Sequence, residues 1–263
     1  MFKIIKKIIK YPRVTQNYPK YPLKSIPFIG KPEIDLEKCT RCGECVKRCP
    51  SYAIVLDKEA NDIGINYDEC VFCSLCEEVC PVGAAQMTTQ FELAQKDRNN
   101  LRKSTIVIEG RSILDQSYEL VSSELKFKIK KTFGRSLHIR EVDSGSCNGC
   151  DSEINAMSNP FNDIERLGIN FVASPRHADM LLVTGTATRN MQRALVKTYN
   201  ATPDPKLVVA VGACACSGGI FQNTYATSNG IDCIVPVDVY IPGCPPRPQA
   251  IIYGILKALD RVK

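Results

Sequence analysis

The chain of 263 residues has room for two modest domains or one large one, and its 44% hydrophobic and 24% charged residues exclude disordered and fibrous classes. No apolar run approaches the ~20 residues of a membrane-spanning helix, and neither a signal-peptide core nor a twin-arginine pair opens the sequence. The net charge of +6 sits almost wholly in residues 1–30, which hold seven Lys and Arg and no acid, leaving 27 basic against 28 acidic residues beyond them. A near-neutral body with a basic leader does not fit nucleic-acid binding, which calls for a charged folded face with aromatic platforms.

Along the chain the first element is a helix over residues 1–10. It sets Met1, Ile4, Ile5, Ile8 and Ile9 on one face and lysines on the other, the pattern of an interfacial or partner-docking helix. Tyr11-Pro12, Tyr18-Pro19 and Tyr21-Pro22 then favour extended chain up to residue 30.

Residues 31–95 contain an internal duplication. Cys39-x-x-Cys42-x-x-Cys45-x-x-x-Cys49-Pro50 returns 31 residues later as Cys70-x-x-Cys73-x-x-Cys76-x-x-x-Cys80-Pro81. Eight of the 14 cysteines sit in these runs, which argues for thiolate-bound metal in a reducing compartment rather than disulfides. Zinc favours two well-separated pairs and has no use for a duplicated run with Pro after its fourth Cys. The runs match the bacterial ferredoxin pattern, in which three closely spaced thiolates wrap one iron–sulfur cube and the Cys before Pro ligates the other. Cys39, Cys42, Cys45 and Cys80 are thus expected on one 4Fe-4S cluster, and Cys70, Cys73, Cys76 and Cys49 on a second.

Residues 96–135 lack Cys and Pro, carry ten Lys and Arg against five Asp and Glu, and read as a mainly helical connector, either a solvated linker or a partner-docking arm. From residue 136 short β-branched runs alternate with helices. Strands are expected at Leu137–Val142, Asn170–Ala173, Met180–Thr184, Leu207–Val211 and Val237–Ile241, and helices at Cys150–Met157, Phe161–Leu167, Arg189–Tyr199 and Pro248–Arg261. That alternation predicts an α/β domain with a parallel sheet and functional loops at the carboxyl ends of its strands. Cys147 and Cys150, Cys214, and Cys244 each follow a predicted strand, so four thiolates from three loops can meet around a third 4Fe-4S cluster.

At these residues the sequence resembles a known family. Residues 136–263 are similar to the small subunits of nickel–iron hydrogenases and to their B-type counterpart in respiratory complex I. The resemblance rests on Ser-Pro-Arg-His-Ala-Asp (174–179), Val-Thr-Gly-Thr (183–186), Gly-Ala-Cys (212–214), Ser-Gly-Gly (217–219), Ile-Val-Pro-Val-Asp (234–238) and Ile-Pro-Gly-Cys-Pro-Pro (241–246). It implies a flavodoxin-like domain, here behind a small α+β ferredoxin-like domain, with a single cluster that faces a large subunit. The spacing Cys147-Asn-Gly-Cys150 is that of the hydrogenase branch, since the complex I branch carries adjacent cysteines at this site. Only 19 residues follow Cys244, where exported hydrogenases carry a further cluster domain.

The combination resembles the cytosol-facing, membrane-bound energy-converting hydrogenases and formate hydrogenlyases, whose two halves are commonly separate subunits. It implies a non-catalytic electron-transfer subunit with three 4Fe-4S clusters, peripheral on the inner face of the membrane. Electrons would pass between a ferredoxin or formate-oxidising partner and a hydrogenase-type large subunit, while the N-terminal segment anchors the protein on membrane-integral subunits. A complex-I-like quinone or ferredoxin oxidoreductase whose partner has lost nickel is the alternative. An iron–sulfur scaffold is disfavoured, because eight ferredoxin ligands hold their clusters tightly.

The remaining candidates are assigned locally. Cys216 lies beside a ligand position, and the turn expected at Ser217-Gly-Gly219 should carry it away from the site faced by Cys214, as the family's ligand at the Gly-x-Cys position agrees, leaving it a bystander or a thiol that weakly tunes the third cluster without binding iron. Cys233 is expected to be a small buried hydrophobe. His177 either tunes the third cluster or transfers protons, or else caps between strand and loop, and Arg176 is expected to hydrogen-bond a sulfide or pair with the partner. Glu153 either reaches the large-subunit interface or is a solvated first-turn carboxylate, and His138 is structural.

Overall fold

The computed structural model describes residues 2–19, 28–57, 59, 62–102 and 134–259. Helix α1 spans Phe2–Lys10. The duplicated segment then builds β1 (Pro32–Ile34), α2 (Glu44–Arg48), β2 (Ile54–Asp57), β3 (Asp62–Ile65), α3 (Leu75–Glu78) and β4 (Ala85–Met87). β1 pairs with β4 and β2 with β3, both antiparallel, so the first strand of the first repeat joins the last strand of the second. This crossing brings Cys49 and Cys80 under the opposite repeat.

The second half forms β5 (Leu137–Asp143), α4 (Gly149–Ala156), β6 (Ile169–Phe171), β7 (Met180–Thr184), α5 (Arg189–Ala201), β8 (Leu207–Val211), α6 (Ala213–Ser217), β9 (Val239–Ile241) and α7 (Pro248–Leu259). Its five strands are parallel in the order β6-β5-β7-β8-β9, the flavodoxin-like order. β7 and β8 are buried at every residue, as strands covered on both faces must be. Met180 and Leu182 face one side with Val209, Ile154, Ile251 and Ile255, while Leu181 and Val183 face the other with Val208, Leu195 and Ala215. The bare Cα of Gly254 lets α7 lie directly on Ile241, whose side chain a Cβ would overlap.

The ferredoxin-like part packs on the second face. Ala53, Ile54, Ile63, Ile65, Tyr67 and Leu101 belong to the same buried cluster as Leu181, Val208 and Cys216. At the sheet edge Gln95 exchanges backbone hydrogen bonds with Tyr240 at 3.0 and 2.8 Å, and Lys257 Nζ donates to the Ala94 carbonyl at 2.7 Å.

Two expectations change. Phe161–Leu167 is not an α-helix: Asn159 Oδ1 accepts from the amides of Phe161 and Asn162, which favours a turn, and only a 3-10 turn at Ile164–Leu167 follows. Of the connector, Arg98–Leu101 forms one 3-10 turn capped by the Asp97 side chain. The helix expected across the rest of 96–135 lies outside the described residues, as does the extended Tyr21-Pro22.

Candidate metal centres

The crossing gathers the ferredoxin-type thiols into two sets. Cys39, Cys42, Cys45 and Cys80 line one pocket, with Ile34, Ile63 and Ala84 as apolar wall. Cys49, Cys70, Cys73 and Cys76 line the other, with Ile54, Ile65 and Leu75. The duplication extends to the backbone. Arg41 and Phe72 take φ of 55° and 54°, Gly43 and Ser74 take 77° and 63°, and Tyr52 and Gly83 take 55° and 62°, three pairs of left-handed residues at equivalent positions. Such residues among right-handed ones turn successive amides inward, the concavity that suits an anionic cluster. Amides already point at sulfur: Phe72 N donates to Cys70 Sγ at 3.4 Å, and Ala84 N and Ala85 N donate to Cys80 Sγ at 3.2 and 3.5 Å. Those amide bonds hold the Cys80 thiol below its ordinary pKa. Burial, with the neighbouring thiols adding to it, pushes Cys70 up to about 12 and Cys76 up to about 11. Clustered, partly buried thiolates that repel one another need bound cations to stay ionised, and iron supplies that charge.

The third set stands at the carboxyl ends of β5, β8 and β9. Burial raises the Cys150 thiol, and Cys214, Cys244 and Cys147 are near enough to raise it further. Cys214 is pushed up to about 11 by burial and then by Cys244 and Cys147. The three loops therefore converge. Gly212 takes φ of 92°, and a Cβ there would stand 2.6 Å from Cys150 Sγ, so the loop carrying Cys214 closes on Cys150 only with glycine at this position. Asn148, between Cys147 and Cys150, repeats the left-handed conformation of the ferredoxin-type loops with φ of 64°.

A carboxyl pair underlies this site. Asp151 accepts from Thr184 Oγ1 at 2.7 Å and from Ser146 Oγ, and is held below the usual range by its hydrogen bonds to Glu141, Ser146 and Thr184 against the opposing effect of burial. Glu141 is pushed up to about 8, first by burial and then by Asp151. The folded protein thus keeps a proton on Glu141 that the unfolded chain releases near 4.5. More protons bound in the folded state means that stability falls as pH rises from about 4.5 toward 8. Glu141→Gln is expected to flatten that decline, and denaturant titrations of both proteins at pH 6 and pH 8 check it.

Among the other sequence candidates, α6 rather than a turn separates Cys216 from Cys214. Positions two apart on a helix point to nearly opposite sides. Cys216 is fully buried among Leu181, Val208 and Ala210, and its thiol lies 3.9 Å from the Ala210 carbonyl. Cys233 is not the small buried hydrophobe expected: it is exposed at the end of a 3-10 turn, and Ile231 fills the core instead. Arg176 departs from expectation, whereas His177 stands between loop and strand, the second of its two readings. They form the exposed turn that precedes β7, at the amino ends of the strands, so a five-residue strand separates them from the thiols. The His177 carbonyl caps His138 Nδ1 at 3.2 Å, and His138 has the structural role expected. Glu153 is half-buried and lines a cavity of about 280 Å³ with Cys244, Phe72 and Arg247.

Several features of the site have no local signature in the sequence. The Cys244 thiol feels Cys73, with Phe72 and Cys244 lining one cleft, and Cys76 feels Cys45, so the Cys49/Cys70/Cys73/Cys76 set is within electrostatic reach of both other sets. Arg247 is stacked on Phe28 and Phe91, 4.3 and 4.9 Å from the ring centres. The junction of the halves is ionic: Arg98 Nε and Arg102 Nε reach Asp68 Oδ2 at 2.8 and 2.9 Å, and Arg98 also meets Asp232 at 3.1 Å. Ser217 Oγ, at the end of α6, donates to the Asp68 carbonyl at 2.7 Å.

Thiol cradles of this kind on a ferredoxin-like unit define an iron–sulfur protein. Residues 38–84 match the 4Fe-4S dicluster domain, and residues 147–258 match the NADH ubiquinone oxidoreductase 20 kDa subunit. Over 132 residues the chain is 50% identical to the probable membrane-bound hydrogenase subunit mbhJ of Pyrococcus furiosus, spanning 50% of this chain and 79% of that one. It is 49% identical over 146 residues to formate hydrogenlyase subunit 7 of Escherichia coli, 56% of each chain. An NADH-quinone oxidoreductase subunit of Geobacter metallireducens is 51% identical over 113 residues, 43% of this chain and 66% of that one. The chain belongs to the family of the 20 kDa subunit of NADH ubiquinone oxidoreductase, with a 4Fe-4S dicluster domain ahead of it in the same polypeptide.

Proposed function

We propose that the protein is an electron relay of three 4Fe-4S clusters serving a nickel–iron large subunit in a membrane-associated hydrogenase. Cys39, Cys42, Cys45 and Cys80 hold the first cluster, Cys70, Cys73, Cys76 and Cys49 the second, and Cys147, Cys150, Cys214 and Cys244 the third. When bound, each cluster takes up and releases one electron at a potential set by hydrogen bonds to sulfur and by exposure. The chain's own part is to fix the order of the sites and to shape the surroundings of each sulfur through the inward amides of the loops.

The single observation that carries this reading is the gathering of the cysteines into separate sets, with the Cys49/Cys70/Cys73/Cys76 set in electrostatic reach of Cys45 on one side and beside Cys244 at the cleft lined by Phe72 on the other. A middle set in reach of both others makes a wire whose ends are the Cys39/Cys42/Cys45/Cys80 set and the strand-end set. Electrons enter from a ferredoxin or formate-oxidising partner at the first and leave to the large subunit at the second. The relatives named as hydrogenase and formate hydrogenlyase subunits support the nickel–iron partner, and so does the Cys147-Asn-Gly-Cys150 spacing. Among the described residues no helix is long and apolar enough to cross a membrane, and association with the cytoplasmic membrane face is peripheral in this reading.

Cys73→Ser in the assembled complex tests the order. Turnover with a reduced ferredoxin-type donor is expected to fall at least tenfold, while hydrogen–deuterium exchange at the large subunit, which needs no distant electron, stays within about twofold. Equal loss of both activities in a complex that still assembles overturns it.

A further inference from the structure

Helix α1 is the most one-sided element of the chain. Ile4, Ile5, Ile8 and Ile9 are exposed by 64, 47, 61 and 74%, and Lys3, Lys6, Lys7 and Lys10 occupy the rest of the helix surface. The first acid in the sequence is Glu33. Immediately after the helix the chain is fastened to the body. Thr15 Oγ1 donates to the Pro160 carbonyl at 2.8 Å, Gln16 N donates to the Phe161 carbonyl at 2.8 Å, and Tyr18 Oη donates to Glu92 at 2.7 Å. The helix is thus presented from a defined point on the surface, beside the exposed Val14 and Phe161.

We propose that α1 lies in the interface of an anionic lipid bilayer, with its isoleucines in the acyl boundary and its lysines among the headgroups. Nine residues are too few to span a bilayer, which takes about 20, and too few to be stable alone in water, where isolated helices need about 12–15. An apolar stripe of aliphatic side chains with only lysines around it suits a surface that is apolar below and negative above. Lysine stems extend along the apolar boundary while the ammonium groups reach phosphate. A protein groove would be read by directional groups, and between Lys3 and Lys10 the helix offers only lysine and isoleucine. Charge complementarity therefore favours lipid over a membrane-integral protein as the occupant. The inference rests on the peripheral-membrane part of the proposed function and is independent of its redox part.

Flotation of the purified, cluster-loaded full chain with vesicles tests it. Binding is expected to vesicles containing phosphatidylglycerol, and much less to phosphatidylcholine alone or at high salt. Ile5→Asp with Ile8→Asp should abolish flotation, and Lys6→Gln with Lys7→Gln should weaken it about thirtyfold, the effect of two cations worth about 1 kcal/mol each at the surface. All four side chains are exposed, so iron content serves as the folding control and should stay unchanged. Absence of flotation by the wild-type chain overturns the lipid assignment, as does flotation that neither variant alters. If the complex then still needs residues 1–12 for membrane recovery, the peripheral reading survives with a protein occupant; if it does not, both fail.

Discussion

Cys214→Ser is expected to remove or convert the strand-end cluster and take iron from about 12 to about 8 per chain, whereas Cys216→Ser keeps all of it. The two thiols are separated by one residue, Ala215, yet α6 sends them to different places. Cys214 stands with Cys147, Cys150 and Cys244, and Gly219 leaves room beside its sulfur. Cys216 is enclosed by aliphatic side chains on the face that receives the ferredoxin-like part. Four thiolates complete the shell of a cubic cluster, so a fifth has no iron to bind. Serine at 216 should cost on the order of 1 kcal/mol for a hydroxyl in an apolar niche, visible as a lower denaturation midpoint at unchanged iron content. Iron analysis with EPR of the reduced proteins checks both variants. Iron lost from the Cys216 variant instead would invert the ligand assignment in this loop.

The second large effect lies at the junction. Asp68 has no exposed surface, and both arginines that neutralise it reach one oxygen, Oδ2. Arg98 is 18% exposed and bridges Asp68 of the ferredoxin-like part to Asp232 of the sheet domain. Arg98→Ala leaves a buried carboxylate short of its main partner, a loss of about 3–5 kcal/mol. Arg102 is 38% exposed, and its removal should cost about 1 kcal/mol or less. Anaerobic denaturation of the two variants checks the contrast, with Arg98→Lys expected between them because it keeps charge but not the two-sided reach. Since Asp68 is two residues from Cys70 and its carbonyl receives Ser217 at the end of the helix that carries Cys214, the Arg98 variant should also slow electron transfer between the middle and strand-end clusters.

Much of this is legible in the sequence because the deciding interactions are local. The eight ferredoxin-type cysteines read directly from their spacing, since each loop must place its thiols within a few residues. The sheet follows from short β-branched runs, and β7 and β8 match the expected Met180–Thr184 and Leu207–Val211 residue for residue because full burial leaves their pattern unmixed. Arg176 misleads for a geometric reason. It is close to a strand in sequence, but it precedes it, and in a parallel sheet residues before and after a strand sit at opposite ends. The separation of Cys216 from Cys214 is expected through a turn, and a helix achieves it. Cys233 follows a buried isoleucine without sharing its environment. Nothing in the sequence announces the electrostatic influence of Cys73 on Cys244 or the Arg98 junction, because both depend on how two distant segments dock.

The count of iron and acid-labile sulfide in the anaerobically purified full chain tests the central claim most directly, read together with the EPR spin integration after full reduction. A three-cluster relay predicts about 12 of each and three reducible centres, two of them surviving Cys214→Ser. About eight of each with two centres, in a chain whose strand-end cysteines remain free to alkylation, would contradict it.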